Sequence, residues 1–150
     1  MSKKKKFLQG FFRPHNPGKY NGDLRNIIFR SSWELKMFRW ADLNDSVIKW
    51  SSETTIIPYR NPIDGNFHRY FVDISLQYKT SNGDIKKFLI EIKPKRETLP
   101  PKPQMRKTRR YLKEVQTYLI NQAKWQAADK YATERNISFM LFTEQNLGIH

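Results

Sequence analysis

Between Tyr70 and Lys95 the sequence YFVDISLQYKTSNGDIKKFLIEIKPK alternates apolar and polar residues through two runs, separated by Ser81-Asn82-Gly83-Asp84. Strand side chains point to opposite faces in turn. Val72, Ile74, Leu76 and Tyr78 therefore share one face of the first run, and Asp73, Ser75 and Gln77 the other. In the second run Phe88, Ile90 and Ile92 share a face, with Glu91 and Lys93 opposite. The turn decides whether these faces match, because a slip of one residue reverses every side chain. A two-residue Asn82-Gly83 turn sets Asp73 opposite Ile92, a polar face against an apolar one. A three-residue loop, Ser81-Asn82-Gly83 with a left-handed glycine, sets Asp73 opposite Glu91 and keeps the apolar faces together. The second register is the expected one.

Helical periodicity appears on both sides of this hairpin. Ser31 followed by Glu34 is a capping-box pattern, and Trp33, Met37, Trp40 and Ala41 follow at helical spacing, predicting a helix over 31–43 with those residues buried. A second, long helix is expected over about 104–133. Leu112, Val115, Leu119, Gln122 and Gln126 would form one stripe, and Tyr111, Tyr118 and Trp125 an adjoining one. Residues 46–50 and 54–59 are short strand candidates, and Asn61-Pro62-Ile63-Asp64-Gly65 marks a turn. Pro94, Pro100, Pro101 and Pro103 make the segment before the long helix a stiff connector. The apolar run 137–142 predicts a buried strand parallel to a neighbour. The order is helix, strands, helix, strand, without an internal repeat.

Composition narrows the function classes. The 150 residues suit one domain with a real core. No apolar run approaches a membrane span, and the basic start lacks the hydrophobic region of a secretion signal, so a soluble protein that is not exported is expected. The absence of cysteine excludes disulfides and thiolate metal sites. Of a net charge of +14, residues 1–30 carry +7 and residues 102–113 carry +6, leaving the rest nearly balanced. Such patchy basicity suits a polyanion such as DNA. The expected domain plan is a flexible basic arm over 1–22 and a folded domain over 23–150. The arm begins with Lys3, Lys4, Lys5 and Lys6, and its phenylalanines either contact a partner or pack on the domain. Arg106, Lys107, Arg109 and Arg110 open the long helix, where cations oppose the helix dipole and a negative partner would account for them.

The candidate chemistry lies on the hairpin. In the expected register Asp73 and Glu91 stand about 5 Å apart at Cβ with Lys93 on the same face, and two such carboxylates repel unless a cation separates them. A hard divalent ion held by carboxylate oxygens resolves the repulsion. Metal-assisted phosphodiester hydrolysis fits this set: Mg²⁺ or Mn²⁺ on the acids, and the lysine orienting water. A solvent-facing hairpin whose acids pair with nearby bases is the plainer alternative, and capping is the plainer role for Glu34. His15, His68 and His150 lack metal-ligand spacing and no glycine-rich phosphate loop occurs, which excludes zinc hydrolase and nucleotide-cofactor readings.

At these residues a family resemblance emerges. The αβββαβ order with Asp73 and Glu91-Ile92-Lys93 resembles the PD-(D/E)xK nucleases of restriction-endonuclease-like fold, an α/β architecture with a mixed sheet and flanking helices. The string Pro58-Tyr59-Arg60-Asn61-Pro62, Asp64-Gly65, His68-Arg69-Tyr70-Phe71-Val72-Asp73, closing with Ile90-Glu91-Ile92-Lys93-Pro94, is similar to the TnsA-type endonucleases within that group. The resemblance covers about residues 30–143. The lysine-rich start and RSSWELKMFRWADLN resemble head completion nucleases of T-even bacteriophages. The resemblance implies that Asp73, Glu91 and the Ile92 carbonyl hold Mg²⁺ or Mn²⁺, that Lys93 serves the attacking water, and that Glu34 is a helix-borne acid near the metal. Val72 stands where the motif name has proline, and the long helix lacks a Gln-x-x-x-Tyr motif, leaving Gln122 and Lys124 as loose candidates for its supporting polar residue. The partners implied are DNA and phage head or portal-vertex proteins, with the protein in the virion and, during assembly, the host cytoplasm. The alternatives are a DNA-binding head-completion protein that keeps the fold without turnover, and a resolvase of branched DNA.

Overall fold

The computed structural model describes residues 9–148. Ten regular elements follow one another: β1 (Gly10–Phe11), β2 (Ile28–Phe29), α1 (Ser32–Leu43), β3 (Val47–Ser52), β4 (Ile56–Arg60), β5 (Phe67–Phe71), β6 (Ile74–Lys79), β7 (Ile85–Ile92), α2 (Arg109–Glu134) and β8 (Ser138–Phe142). The central sheet has the order β3-β6-β7-β8, with β7 and β8 parallel and the other two pairings antiparallel. Helix α1 precedes this sheet, and α2 forms the crossover between β7 and β8. This is the expected αβββαβ core, an α/β fold with a mixed sheet.

The hairpin register is the one that the apolar faces demand. Ile74 pairs with Ile90, Leu76 with Phe88 and Lys79 with Ile85, and the turn is closed by Thr80 N–H donating to the Asp84 carbonyl at 2.7 Å. Gly83 takes a φ of 91°, the left-handed region where a Cβ is penalised. Continued by one step, the register sets Asp73 against Glu91.

The sheet faces then fill different cores. One face supplies Ile74, Leu76, Ile90 and Ile92 to a cluster with Met37, Phe38 and Ala41 of α1. A register shift between Val47 and Lys49 lets both Val47 and Trp50 of β3 face that cluster despite their odd spacing. Trp50 is enclosed by Phe12, Tyr20 and Phe38, with ring centroids 5.8, 4.7 and 5.2 Å away. On the other face Leu89 meets Trp125, Ala128 and Ala132 of α2 together with Ile57, Tyr59 and Tyr70 of the β4–β5 hairpin.

Several expectations change. The alternating run from Tyr70 does not form a single strand, because the backbone bends at Val72–Asp73 and Val72 N–H bonds the Thr55 carbonyl. Val72 consequently packs on the α2 side, away from Ile74. Phe38 is buried in place of Trp40, which is 41% exposed and stacks on Tyr78. Helix α2 starts at Arg109, because the Thr108 hydroxyl accepts from Tyr111 N–H and caps it. Arg106 and Lys107 thus precede the helix. Leu112 and Leu119 are exposed, since the first turns of α2 extend beyond the sheet and the buried face begins at Asn121. The helix ends with Asn136 at φ 57°, where Ile137 N–H bonds the Ala132 carbonyl. Strand β8 is only partly buried, with Met140 39% exposed, because it forms the sheet edge.

Residues 10–22, placed in the arm on sequence grounds, lie against the domain. Strand β1 pairs with β2, Phe12 and Tyr20 enter the core, and the buried Asp42 carboxylate accepts from His15 N–H (2.8 Å) and Asn16 N–H (3.0 Å). Aromatic burial and these bonds outweigh the freedom that the glycines and prolines suggest. The four lysines at 3–6 fall outside the described residues.

Candidate active site

Two backbone features assemble the acids. The β6–β7 register brings Asp73 to Glu91, and Asp73 Oδ2 accepts from the Ile92 N–H at 2.8 Å, which ties the first acid to the strand carrying the second. Glu91 is buried at 7% exposure, and its Oε1 accepts the Tyr70 hydroxyl at 2.7 Å. Lys93 Nζ lies 3.9 Å from Glu91 Oε2. Each oxygen of Glu91 therefore has its own neighbour. The bend at Val72–Asp73 is what swings Tyr70 back over Glu91.

The electrostatics follow from crowding two acids away from water. Burial pushes the Asp73 carboxyl well above its usual range, and the Glu91 charge adds to that, while the Ile92 N–H and Lys93 oppose it. Burial likewise raises Glu91, against the Tyr70 hydrogen bond and the charges of Lys93 and Lys124. Burial and the Glu91 charge raise the Tyr70 phenol, so it stays a proton donor. Lys124 is lowered, chiefly by burial, although Glu91 and Asp73 favour its charged form. Its Nζ sits 5.8 Å from the Tyr59 ring centroid and 5.7 Å from that of Tyr70. The pair is poised to hold a proton between its carboxyls or to yield it to a cation.

Glu34 sits at the capped start of α1. Its N–H is capped by Ser31 Oγ at 3.1 Å and its carboxylate accepts the Arg30 N–H at 3.0 Å. Burial raises it to about 7, the Arg30 N–H lowers it, and the charges of Asp73 and Glu53 raise it further. Its field reaches Asp73. Arg109 and Arg110 are exposed on the first turn of α2, Arg110 paired with Glu114 at 3.3 Å.

A family model described as the TnsA-like endonuclease N-terminal domain matches residues 44–144, which include β3 through β8 and the Asp73, Glu91 and Lys93 positions. The chain belongs to the TnsA-like endonuclease family. It is also similar to the head completion nuclease of Enterobacteria phage T4, with 44% identity over 142 residues and 92% of each chain covered.

As a donor set, the site of this TnsA-like endonuclease suits a hard cation. Asp73 and Glu91 supply only oxygens, both are disfavoured as bare anions, and a positive charge between them relieves both costs. Among the described residues no cluster of three or more acidic or histidine side chains with metal-ligand geometry occurs. A two-carboxylate site fits magnesium, which keeps several waters. Sequence reasoning missed Tyr70, assigned to the same strand as Asp73, and had Lys124 only as a loose candidate. Neither has a spacing signal, since a bend and a helix crossing bring them in.

Proposed function

We propose that this protein is a divalent-metal-dependent DNA endonuclease that acts in phage head completion after packaging. The observation carrying this is the buried Asp73–Glu91 pair with Lys93 and Lys124 directed at it. Asp73 and Glu91, with the Ile92 carbonyl, would hold Mg²⁺ or Mn²⁺. When bound, such a cation supplies Lewis acidity toward a phosphoryl oxygen and makes water a stronger acid. Lys93, beside Glu91 Oε2, orients the attacking water and offsets the charge developing on the phosphoryl group. Tyr70 holds the other Glu91 oxygen in place, and Glu34 is a basic carboxylate near the water, able to hold a proton close to neutral pH. Lys3, Lys4, Lys5 and Lys6, with Arg106, Lys107, Arg109 and Arg110, would hold DNA by its phosphates. The similarity to a head completion nuclease supports a role late in head assembly with head or portal-vertex proteins as partners.

The test is cleavage of plasmid DNA by purified protein with Mg²⁺ or Mn²⁺. Nicking by the parent and its loss in Glu91→Gln and Lys93→Ala are expected. Activity that survives in both variants removes the assigned site, and an inert parent removes the enzymatic role.

A further inference from the structure

A groove of about 650 Å³ lies between the proline-containing connector and the first half of α2. Both walls begin close in sequence to site residues. Arg96 follows Lys93 by three residues, and Asn121 precedes Lys124 by one helical turn, while Lys93 and Lys124 both act on Glu91. From Asn121 the groove follows α2 back to Arg110, about 17 Å at 1.5 Å per residue. Along α2 the groove runs away from Lys124, whose charge acts on Glu91.

Its lining combines flat faces with cations. Tyr118 of α2 and Pro100 of the connector line opposite walls, together with Lys102 and Lys113. The lining carboxylates are already engaged: Glu114 with Arg110 at 3.3 Å and Glu97 with Arg96 at 4.0 Å. Among the described residues Lys102 and Lys113 are in no ion pair, which leaves the groove positive. An aromatic ring with unneutralised cations suits a single strand, whose bases can leave the stack and lie on side chains while its phosphates meet lysines. A duplex keeps its bases stacked inside and offers only phosphates. Of the cations expected to open the helix, Arg110 lines this groove.

We infer that the groove binds a single-stranded DNA segment continuous with the strand at Asp73 and Glu91, so that the preferred substrate carries an unpaired tail or junction. This rests on the nuclease reading for what happens at the acids. Binding itself can be read without cleavage.

The experiment is fluorescence anisotropy of the full chain in EDTA with a labelled oligothymidylate and a labelled blunt duplex of equal length. Tyr118→Ala weakens oligothymidylate binding about ten-fold, the scale of one lost stacking contact. Tyr118→Phe retains binding, because it retains the ring. Lys113 is exposed, so Lys113→Glu keeps the fold; it weakens the same complex and flattens its salt dependence. Affinity for oligothymidylate that is unchanged in Tyr118→Ala and Lys113→Glu overturns the inference, as does an equal loss on oligothymidylate and duplex, or a loss in Tyr118→Phe as large as in Tyr118→Ala. Because no cation is present, failure of plasmid cleavage sinks the nuclease reading alone, and failure here sinks the groove alone.

Discussion

Glu34→Gln should stabilise the protein above neutral pH. The folded structure raises the carboxyl from 4.5 to about 7, chiefly by burial. At 1.36 kcal/mol per pH unit this is about 3 kcal/mol, and because the side chain is only partly buried, solvent screening reduces it to about 2 kcal/mol. The direction follows from proton binding. Below about pH 4.5 the group is protonated in both states and costs nothing. Between 4.5 and about 7 the folded chain holds a proton that the unfolded chain has released, so stability falls as pH rises, and the penalty is complete above about 7. Glutamine cannot ionise, and its amide oxygen still accepts the Arg30 N–H. Urea unfolding of both proteins in EDTA, at several pH values from 4 to 8.5, measures the difference directly. The variant should match the parent near pH 4 and exceed it progressively to about 2 kcal/mol at pH 8. A difference that is constant with pH, or a variant less stable than the parent at pH 8, would refute the burial of Glu34 as the source of its raised carboxyl.

Two further outcomes follow from the same geometry. If Asp73 and Glu91 hold a divalent ion, Mg²⁺ at a hundred times its dissociation constant stabilises the parent by about 2.7 kcal/mol and raises its melting temperature, with no such shift in Asp73→Asn; equal shifts in both proteins would place binding elsewhere. Gly83→Ala costs about 1–2 kcal/mol in urea unfolding, entirely through the backbone, because an added Cβ meets nothing within 4 Å while φ stays at 91°; a neutral substitution would mean that the three-residue loop does not set the register.

Local pattern carried a large part of this protein. Alternation and an Asn-Gly pair were enough to select the register that faces Asp73 with Glu91, because a buried face tolerates only one of the two candidate turns. The Ser31 cap and the start of α1 were equally local, as a side chain reaching three residues along the chain. Family membership was legible in the acid and lysine motif together with its flanking string. Tertiary structure decided what local pattern cannot encode. The bend at Val72–Asp73 looks in sequence like unbroken alternation, yet it divides the run into two strands and turns Tyr70 onto Glu91. Lys124 reaches the acids only because α2 crosses the sheet, and Leu112 and Leu119 stay exposed because the same helix outruns it. Residues 10–22 carry the composition of an arm, yet the Trp50 cage, the buried Asp42 carboxylate and the β1–β2 pairing hold them on the fold. Periodicity records which side chains share a face, whereas which face meets which element depends on contacts between residues distant in the chain, and those exist only once it has folded.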